Sequence, residues 1–170
     1  MNVRPAEHTD APHVRALFVA ARDGGRFAEW GGIHDQSEAD AREDIARDGR
    51  DLWLAHDDAG VACGWVRCER TGWTGDPERP GQSVEVWRFA LGVFDPALGG
   101  LAFSRLYLGA CRAAAEAHPD AIWEGSVAAG GALDRLWRAR LADVRTERDE
   151  HGVRCAYYRM PGRAFLARVP

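Results

Sequence analysis

The stretch DPALGGLAFSRL (residues 95–106) follows an apolar run, SVEVWRFALGVF (83–94), and opens an alanine-rich segment, GLAFSRLYLGACRAAAEA (100–117). The pattern predicts a strand, a turn with two glycines, and a helix in direct succession. Gly99 and Gly100 admit two readings. Either they turn the chain, or they let backbone N–H groups at a helix N-terminus approach an anion. The first four N–H groups of a helix have no intrahelical partner and sit at the positive end of its dipole. The rest of the chain decides between the two.

The chain has 170 residues, 46% hydrophobic and 28% charged, which fits one globular domain spanning 1–170. Its net charge of −4 gives no support for a nucleic-acid partner. No apolar run approaches the ~20 residues a membrane helix needs. The opening MNVRPAEHTD lacks the basic-then-apolar pattern of a signal peptide, so the expectation is a cytoplasmic protein with no membrane partner. Cys63, Cys68, Cys111 and Cys155 show no metal-ligand spacing, and the six histidines form no H-x-x-x-H pair. The expectation is buried free thiols and no metal. All 22 basic residues are arginine. The absence of lysine excludes a Walker A clamp, a protein-kinase site and a Schiff base.

NVRPA reads as a first strand. In HTDAPHVRALFVAAR, Thr9 or Asp10 caps a helix with Pro12 in its first turn and an apolar face of Val14, Leu17, Phe18 and Ala21. DGGRFAEWGG breaks that helix and carries Phe27 and Trp30. A Ser37…Asp40 capping box starts a second helix. DLWLAHDDAGVACGWVRCER is a hairpin around Asp57, Asp58 and Gly60, and TGWTGDPERPGQ reads as a loop. SVEVWRFALGVF is apolar at nearly every position and predicts a central strand covered on both faces. The long helix after Gly100 precedes a strand (DAIWEGSVAA), a helix (ALDRLWRARLA) and a hairpin turning at His151-Gly152; the tail PGRAFLARVP is left unassigned. The order is β-α-α-β-β-β-α-β-α-β-β, one α/β domain.

That order, with the opening VRPAEHTDAPHVRALF and the DPALGGLAFSRL turn, resembles the GCN5-related N-acetyltransferase (GNAT) superfamily over essentially the whole length. The resemblance implies a mixed, mostly antiparallel sheet with helices on both faces, splayed between its fourth and fifth strands. It implies acetyl-CoA or another acyl-CoA as co-substrate and a small-molecule or protein amine as acceptor. The family's loop pattern Arg/Gln-x-x-Gly-x-Gly/Ala wraps the CoA pyrophosphate. Aligned on Pro96, it falls on Gly99, Ala102 and Ser104, so the small residues survive and the Arg/Gln does not. By resemblance, Gly99, Gly100, Leu101, Ala102, Phe103 and Ser104 form the phosphate cradle, Ser104 adding a hydroxyl. The backbone of Leu91, Gly92 and Val93 meets the pantetheine. Placed inside the matching element order, the ligand reading of the two glycines prevails.

The family often uses a Tyr on its last long helix as general acid to the CoA thiolate. The corresponding position is Trp137, which cannot donate that proton, and Gly130-Gly131 replace a neighbouring Asn. Tyr107, Tyr157, Tyr158 or water must then serve. The run VEVWRFAL is also similar to the E-x-x-R-F-A-V stretch of acyl-homoserine-lactone and N-acyl amino acid synthases, with Glu85, Arg88 and Phe89 on the motif. That resemblance implies a long-chain acyl donor as the alternative, and a catalytically impaired acyl-CoA-binding or interaction domain is a third reading.

Glu85 is the candidate base; a poorly hydrated cleft would raise its pKa. Arg88, in an apolar strand, either binds a substrate carboxylate or pairs with Glu124 on the neighbouring strand, the second being preferred. Simple alternation puts Glu85 and Arg88 on opposite faces unless a bulge intervenes. Phe27, Trp30 and Trp73 are expected to flank the acceptor cleft. A cleft plugged by Trp87, Trp137 or the C-terminal tail would favour a binding role. The exposed final hairpin offers an edge for a homodimer.

Overall fold

The computed structural model describes residues 2–25, 37–150 and 152–169. Seven strands form one sheet in the order β1-β2-β3-β4-β5-β7-β6. In chain order the elements are β1 (Asn2–Pro5), α1 (Ala11–Asp23), α2 (Glu38–Ala46), β2 (Arg50–His56), β3 (Ala62–Gly75), β4 (Ser83–Phe94), α3 (Gly100–Ala117), β5 (Ile122–Ala128), α4 (Ala132–Leu141), β6 (Arg145–Glu150), β7 (Val153–Pro161) and α5 (Gly162–Arg168). The expected order is found, with α5 added in the tail. All strand pairs are antiparallel except β4–β5.

The apolar faces divide into two cores. Val14, Leu17 and Phe18 of α1 and Ala41 of α2 pack with Leu52, Leu54, Trp65 and Val93 on one side of the sheet. On the other side α3 lays Leu106, Tyr107, Ala110, Cys111 and Ala114 onto Val66, Cys68, Trp87 and Phe94, joined by Trp137 of α4 and Phe165 of α5. β4 is therefore covered on both faces, as its continuous apolar run predicts. All four cysteines are free and buried. Gly64 lies under the Phe94 ring, where a Cβ would sit 2.0 Å from the ring; only glycine fits this cross-strand contact.

Local signals hold with one exchange of roles. The Ser37 hydroxyl accepts from the Asp40 N–H, and the Asp40 carboxylate accepts from the Ser37 N–H, completing the capping box. Asp10 stands at the start of α1, but its carboxylate accepts a two-pronged bond from Arg4 and another from the Glu7 N–H. It ties β1 to the helix rather than capping it. TGWTGDPERPGQ is not all loop: β3 runs on to Gly75, so Trp73 sits on a strand, paired across from Glu85. Its ring is 63% exposed at the end of the sheet far from the Pro96 turn, so Trp73 does not flank the cleft. Phe27 and Trp30 lie outside the described residues.

The second half of the sheet is anchored by one buried carboxylate. Asp134, fully buried on α4, accepts from both Nε and Nη2 of Arg145 (2.8 and 2.9 Å), from the Tyr158 hydroxyl and from the Gly130 N–H. Arg145 and these donors hold its pKa far below the usual carboxylate range. A lowered folded-state pKa gives stability that is full above the unfolded value and lost as pH falls below about 4. Asp134→Asn is expected to destabilise the fold by about 3 kcal/mol in urea unfolding at pH 7, because the buried acceptor of Arg145, Tyr158 and Gly130 loses its charge and Arg145 keeps, among the described residues, only Glu147. Its stability should also fall less steeply than the wild type's between pH 5 and pH 3.

Candidate active site

β4 and β5 pair through four residues only: Val86–Ile122, Trp87–Trp123, Arg88–Glu124 and Phe89–Gly125. Beyond that point β5 continues beside β7, while β4 continues beside β3. The cause is in the β3–β4 register. Arg67 pairs with Leu91 and Cys68 with Phe89, so Ala90 is an extra residue, a bulge. Trp87 and Phe89 before it face α3; Leu91 and Val93 after it face α1 and α2. Bulge and split coincide. The backbone of Leu91, Gly92 and Val93 thus has β3 on one side and, among the described residues, no strand on the other. Gly92 faces α3, where an added Cβ would sit 3.0 Å from the Tyr107 ring.

The first turn of α3 lies at the same end of the sheet. Gly99 is the N-cap, with no side-chain cap, and its carbonyl accepts from the Phe103 N–H. The N–H groups of Gly100, Leu101 and Ala102 precede that first bond and so have no intrahelical partner. Cβ atoms built at Gly99 and Gly100 meet nothing within 4 Å, and Leu101 is 71% exposed. The helix start is open to an incoming anion. Two expected members differ in detail. The Ser104 hydroxyl donates back to the Gly100 carbonyl (2.7 Å), so Ser104 offers the cradle no free O–H. Phe103 turns inward against Phe94 and Tyr107.

Glu85 lies four residues before the split, about 13 Å along the strand at ~3.3 Å per residue, on the α3 side. Its carboxylate accepts from the Trp87 Nε1–H (2.7 Å) and from Arg70 (3.0 Å). These donors hold its pKa below the usual Glu range, the reverse of the expected rise. His118, at the end of α3, stacks on Trp87 at 4.0 Å, bonds Asp51 of β2 at 2.7 Å and stands 4.0 Å from Glu85. Sequence reasoning missed this cluster: Asp51 and His118 are 67 residues apart, and neither belongs to a motif.

Arg88 occupies the other face, because the bulge at Ala90 comes after both residues and leaves them opposed. Its Nε and Nη2 donate to Glu124 (3.1 and 2.8 Å), which is the preferred pairing. Arg159 of β7 approaches the second oxygen of Glu124 at 3.4 Å.

On the α3 side a small cavity opens at the split, lined by Phe89, Tyr107, Trp123, Trp137, Tyr158 and Phe165 among others, with a volume of about 20 Å³. That is room for about one water. Trp137 is 4% exposed and packs 5.6–6.3 Å from the rings of Tyr107, Phe89, Phe165 and Tyr158. Of the three tyrosines, Tyr157 is on the opposite face, under Arg148. Tyr158 donates to Asp134, and burial together with that bond pushes its pKa up to about 12. Tyr107 lines the cavity, and burial keeps its phenol protonated far above pH 7.

No family model matches the chain, and no curated protein matches it. Solved structures do. The GNAT domain of PAT from S. lividans aligns with a TM-score of 0.62 at 17% identity, covering 93% of this chain and 89% of that one. Spermidine N-acetyltransferase SpeG from Vibrio cholerae, as a point mutant, aligns over 100% of both chains with a TM-score of 0.63 at 12% identity. The protein yncA from Salmonella typhimurium, solved with its cofactor acetyl-CoA, gives 0.61 at 12%, covering 94% of this chain and 92% of that one. The chain has the GNAT fold.

Trp87→Phe removes the indole donor to Glu85 while keeping an aromatic ring. The Glu85 pKa should then rise toward the ordinary Glu value, read by carboxyl-carbon NMR titration; an unchanged value would contradict the geometry.

Proposed function

We propose that the protein is an acyl-CoA-dependent N-acyltransferase, with acetyl-CoA as donor and an amine as acceptor. The observation that carries this reading is the coincidence of two unpartnered backbone surfaces at one end of the sheet: β4 beyond the Ala90 bulge, and the uncapped start of α3. The start of α3 suits a pyrophosphate, which small residues and free N–H groups bind without an arginine. The open edge of Leu91, Gly92 and Val93 suits an extended chain carrying amides, received as if it were a further strand.

Acyl-CoA supplies an activated acyl carbonyl. A β4 N–H past the bulge polarises the carbonyl oxygen as the amine attacks. Carbon–nitrogen bond formation and carbon–sulfur cleavage leave a proton to remove from nitrogen and a thiolate to protonate. Glu85, ionised at neutral pH, is set back from the split on the α3 face, so the amine proton passes first to water in the split and from there to Glu85. Tyr107 is the phenol on the cavity whose hydroxyl is not committed to a carboxylate, and it is assigned the thiolate. The rings lining the α3 side of the split leave no space for a long acyl chain there, which favours a short acyl group.

One observation favours a second reading. Trp137 and Phe165 fill the α3 side of the split, as expected of a domain that binds an acyl-CoA or a partner without turnover.

Calorimetric titration separates the readings. Acetyl-CoA should bind in the micromolar range and more tightly than a long-chain acyl-CoA. Ala102→Asp, in the first turn of α3, suits the helix dipole and leaves the fold intact, yet should weaken acetyl-CoA binding at least tenfold by charge repulsion. Unchanged binding removes the cradle assignment. With an accepted amine, Glu85→Gln should lower kcat about a hundredfold at unchanged acetyl-CoA affinity. Binding without thiol release for any amine selects the second reading.

A further inference from the structure

A row of alternating charge crosses five strands on the face that carries α1 and α2. Its members stand in register: Arg50 on β2, Glu69 on β3, Arg88 on β4, Glu124 on β5 and Arg159 on β7. The row divides into two groups. Under α2, Arg50 and Arg67 meet Asp44 and Glu69, two cations against two anions. Beyond α2, among the described residues, Arg88 and Arg159 share the single carboxylate of Glu124, leaving one positive charge in excess.

This second group is placed for a ligand. Arg88–Glu124 is the pair immediately before Phe89–Gly125, the last before the strands separate. Glu124 is 9% exposed and fixes the two arginines, whose side chains are 41% and 53% exposed. Among the described residues, Nη1 of Arg88 and Nε and Nη2 of Arg159 have no hydrogen-bond partner. A structural ion pair would need only one arginine here. Two guanidinium forks on one buried carboxylate, each with unused donors, form a receptor for a second carboxylate.

We propose that Arg88 and Arg159 bind the carboxylate of an amino-acid-like acceptor, so that its amine reaches the split from the face opposite α3. The proposal rests on the acyltransferase reading and narrows its acceptor to small amines that carry a carboxylate. The same positive excess repels a polycationic amine. Glu124 is a positioning residue, and Arg159, never singled out by the sequence, sets the preference.

The test is binding, so it does not depend on turnover. The N-acetyl derivatives of the twenty common amino acids, and the corresponding carboxamides, are titrated by ligand-observed NMR in the presence of CoA. At least one acid should bind tenfold or more tightly than its amide, the ratio expected for charge-assisted bonds. Arg159→Gln should erase that ratio with an unchanged melting temperature, and Arg159→Lys should keep part of it. Acids and amides binding alike, neither series binding, or a ratio unchanged in Arg159→Gln overturns the proposal. Acetyl-CoA titration of the same preparations tests the parent reading separately. An acid preference lost in Arg159→Gln without acetyl-CoA binding keeps the carboxylate site and removes acyl transfer.

Discussion

The structure depends on a parallel pairing that stops after four residues. A sheet of this size normally satisfies both edges of every inner strand, because an unpaired buried N–H or C=O costs free energy comparable to a lost hydrogen bond. Here β4 and β5 part at Phe89 and Gly125, in the middle of the sheet. The Ala90 bulge makes this possible by turning the rest of β4 over, so that Leu91 and Val93 join the α1–α2 core. The opening is therefore not slack between two domains. Cores on both faces of the sheet hold it in place.

The two sides of the opening are chemically unlike. On the α3 side it is aromatic: Phe89, Trp123, Tyr107, Trp137 and Phe165 form one cluster of rings, with little free volume. On the other side it is ionic, with Arg88, Glu124 and Arg159 across three strands. Side-chain alternation on β4 produces this contrast, since Arg88 and Phe89 are neighbours in sequence and point to opposite faces. A donor with a polyphosphate tail meets the free N–H groups of α3. A polar acceptor meets the arginines.

Much of the frame is legible in the sequence because its signals are local. The Ser37–Asp40 box, the apolar face of α1 and the glycine before α3 are each set within a few residues. The Arg88–Glu124 pair is legible because an arginine in an apolar strand must find a partner. What is not legible depends on register. The Trp87 indole, together with Arg70 beside the bulge at Thr71 in β3, turns an expected rise in the Glu85 pKa into a fall. The His118–Asp51 bond joins residues far apart in the chain. The helix α5 has only seven residues and owes its place to Phe165 under Trp137 and to Arg112 bonding the Val169 carbonyl. Short helices carry little periodicity of their own.

The central claim is that the unpaired backbone of β4 and the start of α3 receive one ligand together. Amide hydrogen exchange with and without acetyl-CoA reads both segments at once. The account predicts that acetyl-CoA slows exchange in residues 90–94 and in residues 100–104, with little change in the β1–β2 pair at the far edge of the sheet. Protection of neither segment at saturating acetyl-CoA, or protection confined to another part of the molecule, would contradict it.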